Sequence, residues 1–309
     1  MNRKSLVIAS GDPAGCGPII TLDAIQNYRG PKTDFFVVGD KRIFKKNSLY
    51  SKIIKKINFI DLNTPGAEKV KPGYPSGLSG VLSLNYLETA LKILKNRKIK
   101  RLVTAPLSKE AAQSIVAGFK GHTEYLAQYF KVKNPVMIMV SKKLKVVLLS
   151  RHVSLREVSG SLKEKNIIDS LSLVYQSLEK QFKIRNPKIA FSSLNPHAGV
   201  DTFLEKEEKK IVAAIKKFKK PIQGPYPADS LFIPENIKKY DCLISPYHDQ
   251  AMIPFKLLSM KEGVNLTLGL PIIRTSPAHG TAYDLIRKGR RPFYSSMLEA
   301  IKLALKLAP

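Results

Sequence analysis

The sequence predicts an α/β protein: a mostly parallel sheet flanked by helices, in two interleaved lobes with a cleft between them. Three observations lead there. Short apolar runs alternate with amphipathic stretches along the chain. Near the middle, two apolar runs flank a short lysine-containing turn and read as a hairpin, which gives one lobe antiparallel character. The 309 residues are 44% hydrophobic and 25% charged, a globular balance long enough to bury a large core, with no internal repeat or long linker.

The elements follow in order. Residues 5–10, 34–39 and 101–104 are apolar runs of strand length, with helical apolar spacing over 84–94 before the third. Residues 136–140 and 145–149 flank Ser141-Lys142-Lys143-Leu144 and form the expected hairpin. A helix is expected over 167–182, a strand over 188–193, a helix over 206–218 and a strand over 242–245. Residues 297–307 are apolar at three- and four-residue steps, hence helical.

Composition narrows the function. There are 52 basic and 24 acidic residues, a net charge of +28. The lysines are spread along the chain and no aromatic-plus-basic module accompanies them. The charge therefore reads as a solvated surface that concentrates anionic substrates, with no nucleic-acid partner expected. Two cysteines, Cys16 and Cys242, cannot build a disulfide framework or a four-cysteine zinc site. The apolar stretch near the N-terminus is too short for a signal-peptide core, and no run approaches the roughly 20 residues of a membrane helix. The expectation is a soluble protein of a reducing compartment, with no membrane partner.

Five histidines each lie beside turn residues or at a strand end. His152, His197 and His248 follow the strands expected to end near 150, 193 and 245, so their side chains can converge. Three neutral imidazoles with an open position are the ligand set of a catalytic divalent metal; separate surface or core histidines are the alternative. The stretch Gly11-Asp12-Pro13-Ala14-Gly15-Cys16-Gly17-Pro18 follows the first strand. It is either an amide cradle for a phosphate or a tight turn orienting the next helix, and it matches neither a dinucleotide fingerprint nor a Walker loop. Lys256, beside Ile253-Pro254-Phe255, is an anion anchor, a lysine of depressed pKa or a snorkelling surface lysine. Arg274 lies in an apolar run, and a buried guanidinium needs an anion: a ligand phosphate or carboxylate, or an internal Asp or Glu.

With GDPAGCGP (11–18), TAPLSKEA (104–111), GHTEYLA (121–127), RHVSLREV (151–158), LNPHAG (194–199), GPYPADSLF (224–232), YHDQAMIPFK (247–256), GVNLTLGLPIIRTS (263–276) and HGTAYDL (279–285) in line, the chain resembles the 4-hydroxythreonine-4-phosphate dehydrogenase family of pyridoxal phosphate biosynthesis along nearly its whole length. The resemblance implies an isocitrate/isopropylmalate dehydrogenase-like fold. One α/β lobe would be formed by 1–134 plus 256–309, and a second, with the hairpin and dimer contacts, by 135–255. It implies a cytoplasmic homodimer with active sites built from both subunits.

Carried over by residue, it makes His152, His197 and His248 the metal ligands, for zinc or alternatively Mg, Mn or Co. His122, Thr123, Asp229, Lys256, Asn265 and Arg274 would contact the small phosphorylated amino-acid substrate, with Lys256 and His122 catalytic. Leu268, Gly269 and Leu270 would lie near NAD or NADP. The implied reaction oxidises 4-phosphooxy-L-threonine to 2-amino-3-oxo-4-phosphooxybutyrate, which decarboxylates to 3-amino-2-oxopropyl phosphate. Alternatives are a sister dehydrogenase for threonate or erythronate 4-phosphate, a metal hydrolase, and a binding protein without turnover. The chain departs from the family pattern at Ile19, usually Glu, at Ser108, often Asn, and over 200–205, usually glycine-rich, where a different backbone path is expected.

Overall fold

The computed structural model describes residues 3–151, 153–199 and 205–309, with Glu205 as backbone alone. Its strands are β1 (Lys4–Ala9), β2 (Thr33–Gly39), β3 (Asn58–Asp61), β4 (Arg101–Thr104), β5 (Val136–Val140), β6 (Lys145–Leu148), β7 (Ile189–Ser192), β8 (Ile222–Tyr226), β9 (Cys242–Ser245), β10 (Val264–Leu268) and β11 (Ile273–Pro277). The principal helices are α1 (Gly17–Gln26), α2 (Gly77–Asn96), α3 (Lys109–Gln113), α4 (His122–Tyr129), α5 (Leu155–Ser161), α6 (Glu164–Lys180), α7 (Glu205–Lys217), α8 (His248–Ser259), α9 (Tyr283–Arg287) and α10 (Ser295–Lys306). The chain divides into two compact units: 1–133 with 270–307 and 309, and 134–269 with 308.

In the first unit the strands run parallel in the order β3-β2-β1-β4-β11. Leu6, Val7 and Ile8 of β1 are wholly buried, as a central strand covered on both faces requires. Each such side chain contributes about 2 kcal/mol by leaving water. α2 begins at Ser76, where Ser76 and Ser79 cap each other: each hydroxyl accepts the other's backbone N–H, at 3.2 and 3.0 Å. Its buried face includes Leu84, Leu87, Leu91 and Leu94, a 3–4 spacing. α10 buries Met297, Ala300, Ile301 and Ala304, and its C-terminal carbonyls are tied to strands: Arg101 donates to Ala304 O at 3.1 Å and Lys4 to Leu305 O at 2.6 Å.

In the second unit the order is β10-β5-β6-β9-β7-β8. β5 pairs antiparallel with both β6 and β10, while β6-β9-β7-β8 are parallel. The hairpin is closed by Ser141, whose Oγ accepts from Leu144 N at 3.0 Å and Lys143 N at 3.2 Å. α6 buries Ile167, Leu171, Val174 and Leu178 at 3–4 spacing.

The second junction falls at 269/270 rather than at 255/256. β10 is held by its ladder to β5, and α8 packs on β6 and β9, so Lys256 and Asn265 belong to the second unit. Among the described residues no helix is long and apolar enough to cross a membrane. Cys16 and Cys242 are free and buried, and burial pushes both thiols up to about 12, which makes them inert.

Candidate functional site

In the first unit, β11 lies parallel to β4 with Arg274 opposite Leu102. Arg274 is 2% exposed, and its Nε and Nη2 donate to Thr104 Oγ1 at 3.2 and 2.6 Å. Burial pushes its pKa down to about 10, still charged at neutral pH, and the carboxylate of Glu124 opposes that shift. Glu124 is thus an internal negative charge near Arg274, and a ligand phosphate or carboxylate remains the other anion the guanidinium can take. Glu124 sits in the first turn of α4, where a negative charge also suits the helix N-terminus. Gly121, at φ +129°, turns the chain into α4. A Cβ there would stand 3.2 Å from Lys109 Cε and 3.5 Å from Glu124 Oε2, so α3 and α4 bring these two charged side chains to one place.

His122 opens α4, and buried Thr123 follows it. Burial, reinforced by the Arg274 charge, holds the His122 pKa well below its ordinary 6.5. The ring is therefore neutral at physiological pH, able to accept a proton or a hydrogen bond. The linkage sign follows. The unfolded chain takes up this proton as pH falls through 6.5 while the folded chain resists it, so stability is full above 6.5 and declines below it. The melting-temperature gap between wild type and His122→Asn is expected to shrink from about pH 7.5 to about pH 5.5. A gap independent of pH in thermal unfolding contradicts this.

The glycine-rich turn is used internally. Asp12 N donates to Pro106 O at 2.9 Å, Ala14 N to Asp12 Oδ1 at 2.7 Å, Gly15 N to Asp12 O at 3.0 Å and Cys16 N to Thr281 O at 2.9 Å. Those amides are spent, so this segment is a tight turn rather than a phosphate cradle. Asp12 is buried, which raises its pKa, and it accepts from Tyr283 Oη at 2.6 Å and Ser79 Oγ at 3.3 Å. Gly11, at φ +70°, would bring a Cβ onto the Pro106 carbonyl. His279, in the same unit, hydrogen-bonds through Nδ1 to Gly280 O at 2.9 Å, and its Nε2 is buried without a hydrogen-bond partner.

In the second unit, β6, β9 and β7 are neighbouring parallel strands, and each runs on into one of the three candidate metal-ligand histidines. His152 itself lies outside the described residues. Arg151 and Val153 on either side of it line a cavity of about 210 Å³ together with Tyr247, His248 and Asp249. His248 is the first residue of α8, and its Nδ1 lies 2.6 Å from Asp249 Oδ1. A carboxylate there fixes the proton on Nδ1 and presents Nε2 as the basic nitrogen, the usual support for a metal-binding imidazole. His197 is exposed, on a turn with φ 54° and ψ 22°. Among the described residues no group of three or more His, Cys, Asp or Glu side chains gathers as a metal cage.

The remaining candidates are placed as follows. Lys256 is exposed on α8. Asn265 is partly buried on β10, and its Oδ1 is buried with no hydrogen-bond partner, so it is open to an N–H or O–H donor. Asp229 is exposed, in the first turn of the short helix Ala228–Leu231, and accepts from Ser230 N at 2.8 Å. Leu268 and Leu270 are buried around Gly269, whose φ of +91° makes the turn out of β10. The altered loop over 200–204 and the side chain of Glu205 lie outside the described residues. Sequence reasoning missed Glu124 and Asp249. Asp249 had a signal, its place directly after a histidine; Glu124 had only the need of Arg274 for a carboxylate, which any of 24 acidic residues could meet.

Residues 31–304 match the family model described as pyridoxal phosphate biosynthetic protein PdxA. A protein of Aquifex aeolicus named 4-hydroxythreonine-4-phosphate dehydrogenase is 37% identical over 98% of this chain and 98% of that protein. A protein of Oceanobacillus iheyensis with the provisional name D-threonate 4-phosphate dehydrogenase is 35% identical over 100% of this chain and 99% of its own. The crystal structure of a 4-hydroxythreonine-4-phosphate dehydrogenase from Burkholderia phymatum aligns with a TM-score of 0.78 and 28% identity, covering 100% of both chains.

Proposed function

The chain belongs to the PdxA family of pyridoxal phosphate biosynthetic proteins, and from that premise we propose that it is an NAD- or NADP-dependent dehydrogenase of 4-phosphooxy-L-threonine. It oxidises a secondary alcohol, the C3 hydroxyl. The resulting 2-amino-3-oxo-4-phosphooxybutyrate is a β-keto acid and loses carbon dioxide to give 3-amino-2-oxopropyl phosphate. The observation that carries the reading is the run of three adjacent parallel strands, β6-β9-β7, each leading into a histidine at its carboxyl end.

That donor set fits a divalent cation. His248 has its tautomer supported by Asp249, and neutral imidazoles leave a dication most of its charge. His152, His197 and His248 would hold the ion, with zinc the best match to imidazole and Mg, Mn or Co as alternatives. A dication held there would supply Lewis acidity toward an alcohol and its developing negative charge, and a nicotinamide dinucleotide near Leu268, Gly269 and Leu270 would supply the hydride acceptor.

The chain's own residues do the rest. Arg274, pinned on Thr104, offers a fixed charge to the phosphate or carboxylate end of the substrate. Neutral His122 accepts a hydrogen bond from substrate, beside Thr123. The unpartnered Oδ1 of Asn265 receives the substrate's amino or hydroxyl donor. Lys256 serves as the proton-transfer group and Asp229 as a further substrate contact. Leu268, Gly269 and Leu270 form the turn toward the dinucleotide. The chain acts as a homodimer: on α8, Ile253, Leu257 and Met260 are 60%, 82% and 75% exposed at i, i+4 and i+7, a bare apolar stripe flanking Lys256 that a second copy would cover.

The Oceanobacillus relative keeps a second substrate open, D-threonate 4-phosphate, which differs in carrying a hydroxyl where the amino acid carries an amine. The deciding assay supplies each of the two phosphates with NAD or NADP and zinc or manganese and follows formation of the reduced nicotinamide. Turnover of 4-phosphooxy-L-threonine is expected with at least about a tenfold advantage in kcat/KM, about 1.4 kcal/mol of discrimination. The reverse preference replaces the substrate, and no reduced nicotinamide with either one removes the dehydrogenase reading.

A further inference from the structure

We propose that Glu208, on the first turns of α7, is the positioning residue for His197: its carboxylate holds the backbone that delivers the imidazole. The inference rests on the reading of His197 as a metal ligand.

The turn that carries His197 is improbable on its own. His197 and Ala198 both adopt left-handed backbone, at φ 54° and 57°, followed by Gly199 at φ 70°. Side chains with a Cβ avoid that region, and two in succession persist only where surrounding contacts over-determine them. Those contacts come from α7. Glu208 Oε1 accepts the Asn195 N–H at 2.7 Å, and the same carboxylate takes the Leu194 N–H. Glu207 Oε2 accepts from Asn195 Nδ2 at 2.8 Å and also bonds the Ser159 hydroxyl. The Asn195 carbonyl receives Ser193 Oγ at 2.7 Å, and Ser193 O receives Gln250 Nε2 of α8 at 2.8 Å. The backbone just before His197 is thus clamped to α7 and, through Gln250, to the helix that begins at His248.

Glu208 has the character of a placed group. It is 2% exposed, where a carboxylate is costly, and burial raises its pKa. What it meets there is the pair of backbone amides leading into the left-handed turn. Its second oxygen, Oε2, is buried without a hydrogen-bond partner. The function therefore needs one correctly placed acceptor oxygen rather than a full carboxylate. Two substitutions separate these. Glu208→Gln keeps an acceptor at the same reach; Glu208→Asp keeps the charge but withdraws the oxygen by one methylene.

The test uses the full-length protein and measures Zn²⁺ affinity by calorimetry, hydrogen exchange over residues 193–199, and kcat at saturating Zn²⁺. Glu208→Asp is expected to weaken Zn²⁺ binding by about 10- to 100-fold, as for loss of a group that orients a ligand. Exchange at 194–195 should accelerate, and kcat at saturating Zn²⁺ should stay within about threefold of wild type. Glu208→Gln is expected to stay near wild type in all three. Gln weak with Asp intact shows that charge, not acceptor position, matters and overturns the proposal, as does unchanged Zn²⁺ affinity in Glu208→Asp. His197→Ala, measured alongside, tests the premise. If it binds Zn²⁺ like wild type, the ligand reading has failed, and the exchange data alone then decide whether the clamp exists.

Discussion

His197→Ala is expected to lose bound metal and turnover together while remaining folded. The imidazole is exposed at a strand's carboxyl end and fills no core, so its removal should change stability by no more than about 1 kcal/mol. Its catalytic loss is of another size. A cation that stabilises developing charge supplies several kcal/mol; about 4 kcal/mol corresponds to roughly a thousandfold in rate. The variant should therefore show a melting transition like wild type, substoichiometric metal after dialysis, and kcat/KM reduced by about 10³ or more. Wild-type activity in His197→Ala after chelation would remove His197 from the site.

Arg274→Ala is expected to damage both the fold and the activity, for one electrostatic reason. The guanidinium is buried, pinned to Thr104 Oγ1 through two nitrogens, and faces Glu124. Truncating it removes a buried charge that lies in the field of Glu124 and leaves Thr104 Oγ1 without its two donors. Removing a buried guanidinium with its charged hydrogen bonds costs about 2–3 kcal/mol of stability, and loss of a fixed anion-binding charge should lower kcat/KM by at least about a hundredfold. Lysine is not a conservative replacement, because an ammonium cannot approach Thr104 from two nitrogens in one plane. Adding Glu124→Gln to Arg274→Ala should recover part of the stability and none of the turnover. Urea titration with steady-state kinetics on the four proteins checks this. If the second change recovers no stability, Glu124 is not the counter-charge.

Most strands and the four long amphipathic helices α2, α6, α7 and α10 were legible because burial writes itself into spacing, whereas the shorter helices were not. The four-residue strands β4 and β9 begin and end where their apolar runs do, since they are central and apolar on both faces. β3, β8, β10 and β11 escaped notice, and each is an outer strand of its unit. Half-exposed Asn58–Asp61, and Ile222–Tyr226 with its glycine and proline, show no apolar run. α8 was hidden by Pro254, which reads as a break; the helix continues past it with Met252 and Phe255 buried on either side.

By itself the amino-acid order determined the α/β class, the hairpin, the family and the residues available for chemistry, since side-chain type and spacing are local properties of the chain. Only the tertiary structure decided how those residues are held. It set Glu124 in the field of Arg274, directed the glycine-rich turn's amides inward, put the second junction after β10, and bent His197 into left-handed backbone under Glu208. Each outcome depends on which groups far apart in the chain become neighbours once water is excluded. Charge pairing and hydrogen bonding between such groups leave no periodic trace in the sequence.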